Sequence, residues 1–239
     1  MSFRCSAGTK SCEMSDSPTS AQSSSFRVAP AQRQHVEEMV ACHLAIFPGH
    51  FTSELGAGYL RRSHRYYVER PGGICLVCIN DQTGQVVGFV KGGRPELRSE
   101  FTRWNMWRFV GRITWRFFAS REVRRRLAYH LAEAARKLLR KLHVMPAKTR
   151  HPAPPEDPPG TWSMLISVGV HPDFRGRGMG RALMEAFRAE SARRGYKTMR
   201  LGVRNDNEAA VGLYRKCGWK AVLTTPDGSF FKRSVEDPA

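Results

Sequence analysis

The run Ser167 to Phe187, SVGVHPDFRGRGMGRALMEAF, constrains this chain more than any other: a β-branched apolar segment passes into glycines at 176, 178 and 180 and then into helical periodicity. A strand, a turn of Arg-Gly-Arg-Gly-Met-Gly and a helix start bring several backbone N–H groups to one point, with the positive end of a helix dipole behind them. Such a turn suits an anion. Two familiar phosphate loops do not apply, because there is no Gly-Lys-Ser/Thr and the G-x-G-x-G spacing lacks the acidic residue about 20 positions on that a dinucleotide-binding βαβ unit requires. On these residues alone, a glycine-rich turn with no ligand remains the competing explanation.

The elements around this run can be placed from periodicity and punctuation. FRVAP reads as a first strand, Ala31 to Phe47 as a helix ended by Pro48-Gly49, and the stretch from Thr52 or Ser53 to Glu69 as a second helix closed by Pro71-Gly72-Gly73. GICLVCIN and QVVGFVKGG are β-branched runs joined by Asp81-Gln82-Thr83-Gly84, a hairpin signal. Trp162 to Val170 forms the strand that enters the glycines, and Met179 to Arg194 the helix that leaves them, stopped by Gly195. Then come a strand (KTMRLGV), a helix (NEAAVGLYRKCG) ended by Gly218, and two short strands (WKAVLTT, SFFKRSV) around Pro226-Asp227-Gly228. This order predicts a mixed α/β sheet covered on both faces.

Residues 94–160 stand outside that alternation. In RWNMWRFVGRITWRFFA, Arg108, Arg112 and Arg116 share a narrow helical stripe while Trp104, Phe109, Val110, Ile113, Trp115 and Phe117 fill the remainder. Ser120 then caps a second helix with a seam of Leu127, Leu131, Leu138 and Leu142, and a Pro-rich tail follows. We read an inserted basic helical hairpin. Between Arg98 and Arg150 there are 15 Lys and Arg against 3 Asp and Glu, so this segment holds 12 of the chain's 18 surplus positive charges. Its aromatic arc is too wide for a solvated helix, so it packs on the core, pairs with a second subunit, or lies on an anionic membrane surface.

Other features are blander. Residues 1–25 are Ser-rich, have no apolar h-region and read as a disordered leader preceding a domain over 26–236. Six scattered cysteines fit a reducing, cytoplasmic setting, with peripheral attachment to the inner membrane surface as a further option. Cys75-x-x-Cys78 lies in a strand that points the two thiols to opposite faces, so no metal site is expected.

Arg175-x-x-Gly178-x-Gly180, preceded by SVGVHP, resembles the acetyl-CoA loop of the GNAT acetyltransferase superfamily. Asn207, Ala210 and Tyr214, ending at Cys217-Gly218-Trp219, resemble the family's second acetyl-CoA motif, and His43 to Gly73 resembles a bacterial branch that also carries a basic helical insertion. The resemblance implies a GNAT-like, mostly antiparallel central sheet with helices on both faces. It implies that the backbone N–H groups of Arg177, Gly178, Gly180 and Arg181 hold the diphosphate of acetyl-CoA and that Arg175 closes over it. Val168 and Val170 would pair with pantetheine, with the Val168 N–H near the thioester oxygen, where a fixed donor stabilises developing negative charge. Tyr214 would protonate the departing thiolate and Asn207 would bond the cofactor's arm.

Many relatives place a carboxylate base on the strand before the glycines. Here the matching positions hold Trp162, Ser163 and Met164, none of them a base near neutral pH. His50, Glu54, His64, Glu96 or a water relay remain open. The expected reaction is direct acetyl transfer to a small-molecule amine, such as an amino-sugar or nucleotide-linked sugar precursor. Protein N-terminal or lysine acetylation is one alternative, and a non-catalytic module binding nucleic acid or membrane through the insertion is another. Nucleic acid is the less favoured partner, since no motif for reading it is present.

Overall fold

Seven short runs rich in Val, Ile, Phe and Thr pair into one sheet, and the turn residues between them set where each strand ends. The computed structural model describes residues 25–105, 128 and 157–237. The strands are β1 (Phe26–Pro30), β2 (Gly73–Asn80), β3 (Val86–Gly93), β4 (Trp162–Val170), β5 (Thr198–Arg204), β6 (Lys220–Thr224) and β7 (Gly228–Ser234). They are arranged β1-β2-β3-β4-β5-β7-β6, with every neighbouring pair antiparallel except β4 and β5. The mixed, mostly antiparallel sheet expected from the sequence is therefore present.

One face carries α1 (Val36–Ile46), α2 (Phe51–Glu54) and α3 (Ala57–Glu69). The expected single helix up to Glu69 is broken into α2 and α3 because Gly56, at φ 84°, turns the chain in a conformation that only glycine adopts freely. On this face Met39, Cys42 and Ile46 of α1 meet Cys75, Val77, Ile79 and Phe89 of the sheet. The other face carries α5 (Met179–Arg193) and α6 (Glu208–Lys216), and Leu183, Met184, Phe187 and Tyr214 pack there on Ile74, Leu76, Val90 and Met199.

The period of two in β2 places Cys75 on the α1 side and Cys78 on the α5 side, as expected. Burial raises both thiols, Cys75 to about 12 and Cys78 to about 11, so neither is a reactive thiolate.

Residues 96–105 are helical (α4), starting earlier than the tryptophan-rich run suggests. Leu97 and Phe101 are buried against Tyr66 and Tyr67 of α3, so α4 belongs to the core. The arginine stripe beyond 105, the leucine seam and the leader over 1–24 lie outside the described residues. The chain rejoins the sheet at Asp157, whose carboxylate accepts from Thr198, Arg200 and Lys232 and is held below the usual carboxylate range by those bonds against the opposing effect of burial. No helix among the described residues is long and apolar enough to cross a membrane.

Candidate active site

The sheet opens in its middle. β4 and β5 run parallel and pair only at Trp162 with Thr198, Ser163 with Met199 and Met164 with Arg200, although β4 continues to Val170 and β5 to Arg204. The cause lies in β4. Lys91 of β3 pairs with Ser167 while the next residue, Gly92, pairs with Leu165, so Ile166 is an extra residue in the ladder. Such a bulge bends its own strand and sharpens the local twist. Gly92 makes it possible, because a Cβ there would lie 2.1 Å from the Met164 carbonyl oxygen and 2.9 Å from the Phe187 ring.

Backbone groups of β4 line this opening. The His171 N–H donates to the Val87 carbonyl of β3 at 2.8 Å. Alternate residues of an antiparallel strand turn their polar groups to opposite sides, so Gly169 also faces β3 while Val168 and Val170 face the opening. From that side Arg175 Nε donates to the Val170 carbonyl at 3.2 Å. The Val168 and Val170 side chains pack against the α5 core.

The three glycines of the loop have different reasons to be glycine. Gly176 and Gly178 both lie at φ 79°, and a Cβ on either would meet no atom within 4 Å, so backbone curl demands them. Gly180 is helical, and its Cβ would touch Leu213 at 3.4 Å, so it sets how closely α5 approaches α6. Gly178 is the N-cap of α5, no side chain caps it, and the first turn contains no acidic residue. The N–H groups of Met179, Gly180 and Arg181 therefore lack an intrahelical partner and face no opposing charge on their own turn. Arg175, Arg177 and Arg181 are exposed around this point. The Arg177 guanidinium donates to the Asp173 carbonyl at 3.3 Å and sits 5.4 Å over the Phe174 ring.

Asn207 is the N-cap of α6, its side-chain oxygen accepting from the Ala210 N–H at 3.2 Å, so its oxygen is committed to the helix. Tyr214 is 7% exposed, with Trp219 and Phe231 around its ring, and burial pushes its phenol up to about 12. It therefore stays protonated at neutral pH.

The residues considered as bases are scattered. Ser163 is buried, its hydroxyl 2.9 Å from that of Ser191, and Trp162 lies under the Arg200 guanidinium at 4.8 Å. Glu96 is exposed at the start of α4. His64 is fully buried in α3 against Phe89, with ring centroids 4.9 Å apart. His50 lies in the turn between α1 and α2, its Nδ1 2.9 Å from the Thr52 hydroxyl. That turn is close to the opening: a Cβ on Gly169 would lie 2.7 Å from Ile46 and 3.3 Å from Phe47.

Sequence reasoning named His64 but missed the buried basic group that it forms with His43 and Lys91 beside this turn. His43 of α1 and His64 have ring centroids 5.3 Å apart, and Lys91, 4% exposed, donates to the Ser63 hydroxyl at 3.0 Å. Burial first, then the Lys91 charge, lowers His43 from 6.5 to about 3 and His64 well below its usual value. Burial also lowers Lys91 from 10.5 to about 8. The available signal was a lysine inside the apolar run VVGFVKGG; nothing local marks the histidines. Since the folded Lys91 value lies below the unfolded one, its stability contribution is present above pH 10.5 and lost as pH falls through 8. Replacing the buried ammonium, Lys91→Met, should stabilise the protein by about 2 kcal/mol at pH 7 and less at pH 10, read from thermal melts. An equal or lower melting temperature at pH 7 would show the ammonium to be well solvated. Among the described residues no group of three potential metal ligands is close enough to hold an ion.

The mixed sheet is thus parted at its one parallel pair, with a glycine loop and an uncapped helix start at the mouth of the opening. Residues 149–219 match the profile of the acetyltransferase (GNAT) family. An acetyltransferase of Pectobacterium atrosepticum is 41% identical over 70 residues, 29% of this chain and 48% of that protein. An acetyltransferase of Yersinia enterocolitica is 42% identical over the same length and shares. The chain thus spans about half the length of the curated relatives it matches. Among solved structures, the ribosomal-protein-S18-alanine N-acetyltransferase of Escherichia coli superimposes with a TM-score of 0.51 at 12% identity, covering 90% of this chain and 97% of that one. The PaiA N-acetyltransferase of Thermoplasma acidophilum, in complex with coenzyme A, gives 0.53 at 11%, covering 88% and 99%. At these identities the likeness is one of fold.

Proposed function

We propose that this protein moves the acetyl group of acetyl-CoA directly onto the primary amine of a small molecule, an amino-sugar precursor being the favoured class. The observation that carries this reading is the coincidence of two features: strand pairing ends at Met164 and Arg200, and the uncapped start of α5 lies at the end of the same strand.

The residues fit the cosubstrate. The N–H groups of Arg177, Gly178, Gly180 and Arg181 would hold the diphosphate, where the helix dipole favours negative charge and no side chain at 176 or 178 intrudes. Arg175, already bonded to the Val170 carbonyl, would lie over it. Val168 and Val170 would take pantetheine as a substitute for the missing β5 ladder, and the Val168 N–H would stabilise the oxyanion that forms as the amine adds. Asn207 would offer its amide nitrogen to the cofactor's arm, its oxygen being used as the cap. Tyr214, protonated at neutral pH, suits the role of acid to the departing thiolate. The Escherichia coli fold relative acts on a ribosomal protein, but so distant a likeness does not choose an acceptor for this chain.

The first test is calorimetric titration with acetyl-CoA, followed by thiol release on a panel of amino sugars, polyamines and N-terminal peptides. We expect micromolar binding and turnover of an amino sugar; absence of binding would remove the reading. Tyr214→Phe should lower kcat about 100-fold with the acetyl-CoA dissociation constant changed less than twofold. A variant that keeps its kcat would reduce Tyr214 to a core aromatic.

A further inference from the structure

An ammonium acceptor must lose a proton before its nitrogen can attack, and positions 162–164 supply no group to take it. Two of the alternatives are removed by placement. His64 is fully buried and kept neutral by its surroundings, and Glu96 is exposed on α4, where its charge acts on Tyr196 just before β5. The turn between α1 and α2 offers a different arrangement. Phe47 packs over Gly169, the residue between Val168 and Val170, and the Phe47 and His50 ring centroids are 5.8 Å apart. His50 is thus two contacts from the wall of the opening, on the face of β4 opposite α5, and it is exposed.

Its ring is fixed by a chain of three side chains. His50 Nδ1 lies 2.9 Å from Thr52 Oγ1, and the same hydroxyl lies 3.1 Å from His43 Nε2. The inner imidazole is itself clamped, stacked at 5.5 Å on Phe89, the residue paired with Gly169 across the ladder. The chain therefore begins in the core beneath the opening and ends at an exposed imidazole beside it.

We propose that His50 is the general base that takes the proton from the acceptor amine, with Thr52 holding its ring and His43 holding Thr52. This rests on the acetyl-transfer reading above. His50 Nε2 takes one proton from the ammonium and passes it to bulk water, the freed lone pair bonds to the thioester carbonyl carbon, the C–S pair leaves on sulfur, sulfur takes the Tyr214 proton, the nitrogen sheds its second proton through the same imidazole to water, and Tyr214 recovers its proton from water. The Thr52 N–H also points at His50 Nδ1, at 3.4 Å; the tautomer that exposes the Nε2 lone pair gives up this weaker bond, carries its hydrogen on Nδ1 and donates it to Thr52 Oγ1 at 2.9 Å, which in turn donates to His43 Nε2. His43 remains neutral throughout, so the chain orients the base without charging the core. His50 is a catalytic residue in this scheme, and Thr52 and His43 are positioning residues. The charged and titratable groups around the chain are His43 on α1, Glu54 on α2, His64 on α3 and Lys91 on β3.

The test uses the full chain saturated with acetyl-CoA. Thiol release is followed with the best acceptor of the amine panel and also with water alone, since water too must lose a proton as it attacks. The wild-type rate should rise with pH as an imidazole deprotonates. His50→Gln should lower kcat about 100-fold, remove that rising limb, leave acetyl-CoA affinity unchanged and recover partly with added imidazole. Thr52→Val should shift the limb, Thr52→Ser should restore it, and Glu54→Gln should leave it in place. A His50→Gln enzyme with the wild-type rate and limb overturns the assignment, as does a limb lost with Glu54→Gln or a wild type that binds acetyl-CoA but accelerates neither reaction. Failure to bind acetyl-CoA at all is a different result, and it overturns the underlying reading instead.

Discussion

Lowering the pH from 7 to 4.5 should cost this protein several kcal/mol of stability, most of it from two buried histidines. His43 is held at about 3 in the folded state against 6.5 when free, chiefly by burial. A group whose folded value is depressed contributes stability that is fully present above its unfolded value and is lost as pH falls toward the folded one. At pH 4.5 the unfolded chain binds a proton that the folded chain refuses, which amounts to about 3 kcal/mol for His43 alone. His64, with both ring nitrogens lacking a hydrogen-bond partner among the described residues, adds in the same direction. Natural domains are stable by only about 5–15 kcal/mol, so the change is large. Glu190 is held down to about 2 by Arg193 and Arg194, and Glu185 and Asp157 are also lowered, so their losses begin near pH 4.5 and are completed only below the histidine window. Urea melts at half-unit intervals will show the slope, and His64→Leu should flatten it. A stability independent of pH between 6.5 and 4.5 would mean that water reaches these imidazoles.

Gly178→Glu should abolish acetyl-CoA binding by at least 100-fold while the fold persists. Two effects combine. The new carboxylate would lie at the uncapped start of α5, where the N–H groups and Arg175, Arg177 and Arg181 would otherwise meet a diphosphate. The backbone at φ 79° also resists any side chain, at a cost of about 1–2 kcal/mol. Gly178→Ala separates them: it carries the backbone cost without the charge and should bind more weakly than wild type but far better than the glutamate variant. The space above Gly178 is open, so neither substitution meets a packed neighbour. Equal binding by wild type and Gly178→Glu would show that the loop holds no diphosphate.

The elements of the fold were legible because their signals are local. β-branched runs bounded by Gly, Pro and Asp marked every strand, and Trp162 to Val170 was placed to the residue. The break at Gly56 was not legible, because a lone glycine in a helical pattern is tolerated as often as it interrupts. The start of α4 at 96 was hidden by the stronger aromatic signal a few residues later; Leu97 and Phe101 reveal their role only once α3 is in place beneath them.

At the candidate site the division follows the same physics. The sequence by itself determined the glycine loop, its helix and the tyrosine helix, because backbone dihedrals and 3.6-residue periodicity are properties of neighbouring residues. It also determined that β4 carries no carboxylate before the glycines. Only the tertiary structure decided that Ile166 is bulged, that β4 and β5 part beyond Met164, and that Phe47 lies on Gly169 with His50 beside it. These depend on strand register and on contacts between residues more than a hundred positions apart. The same is true of His43 and His64, unremarkable in their own segments, and of the partners of Lys91, itself visible only as a lysine in an apolar run: burial against Phe89, Ser63 and one another shifts their protonation.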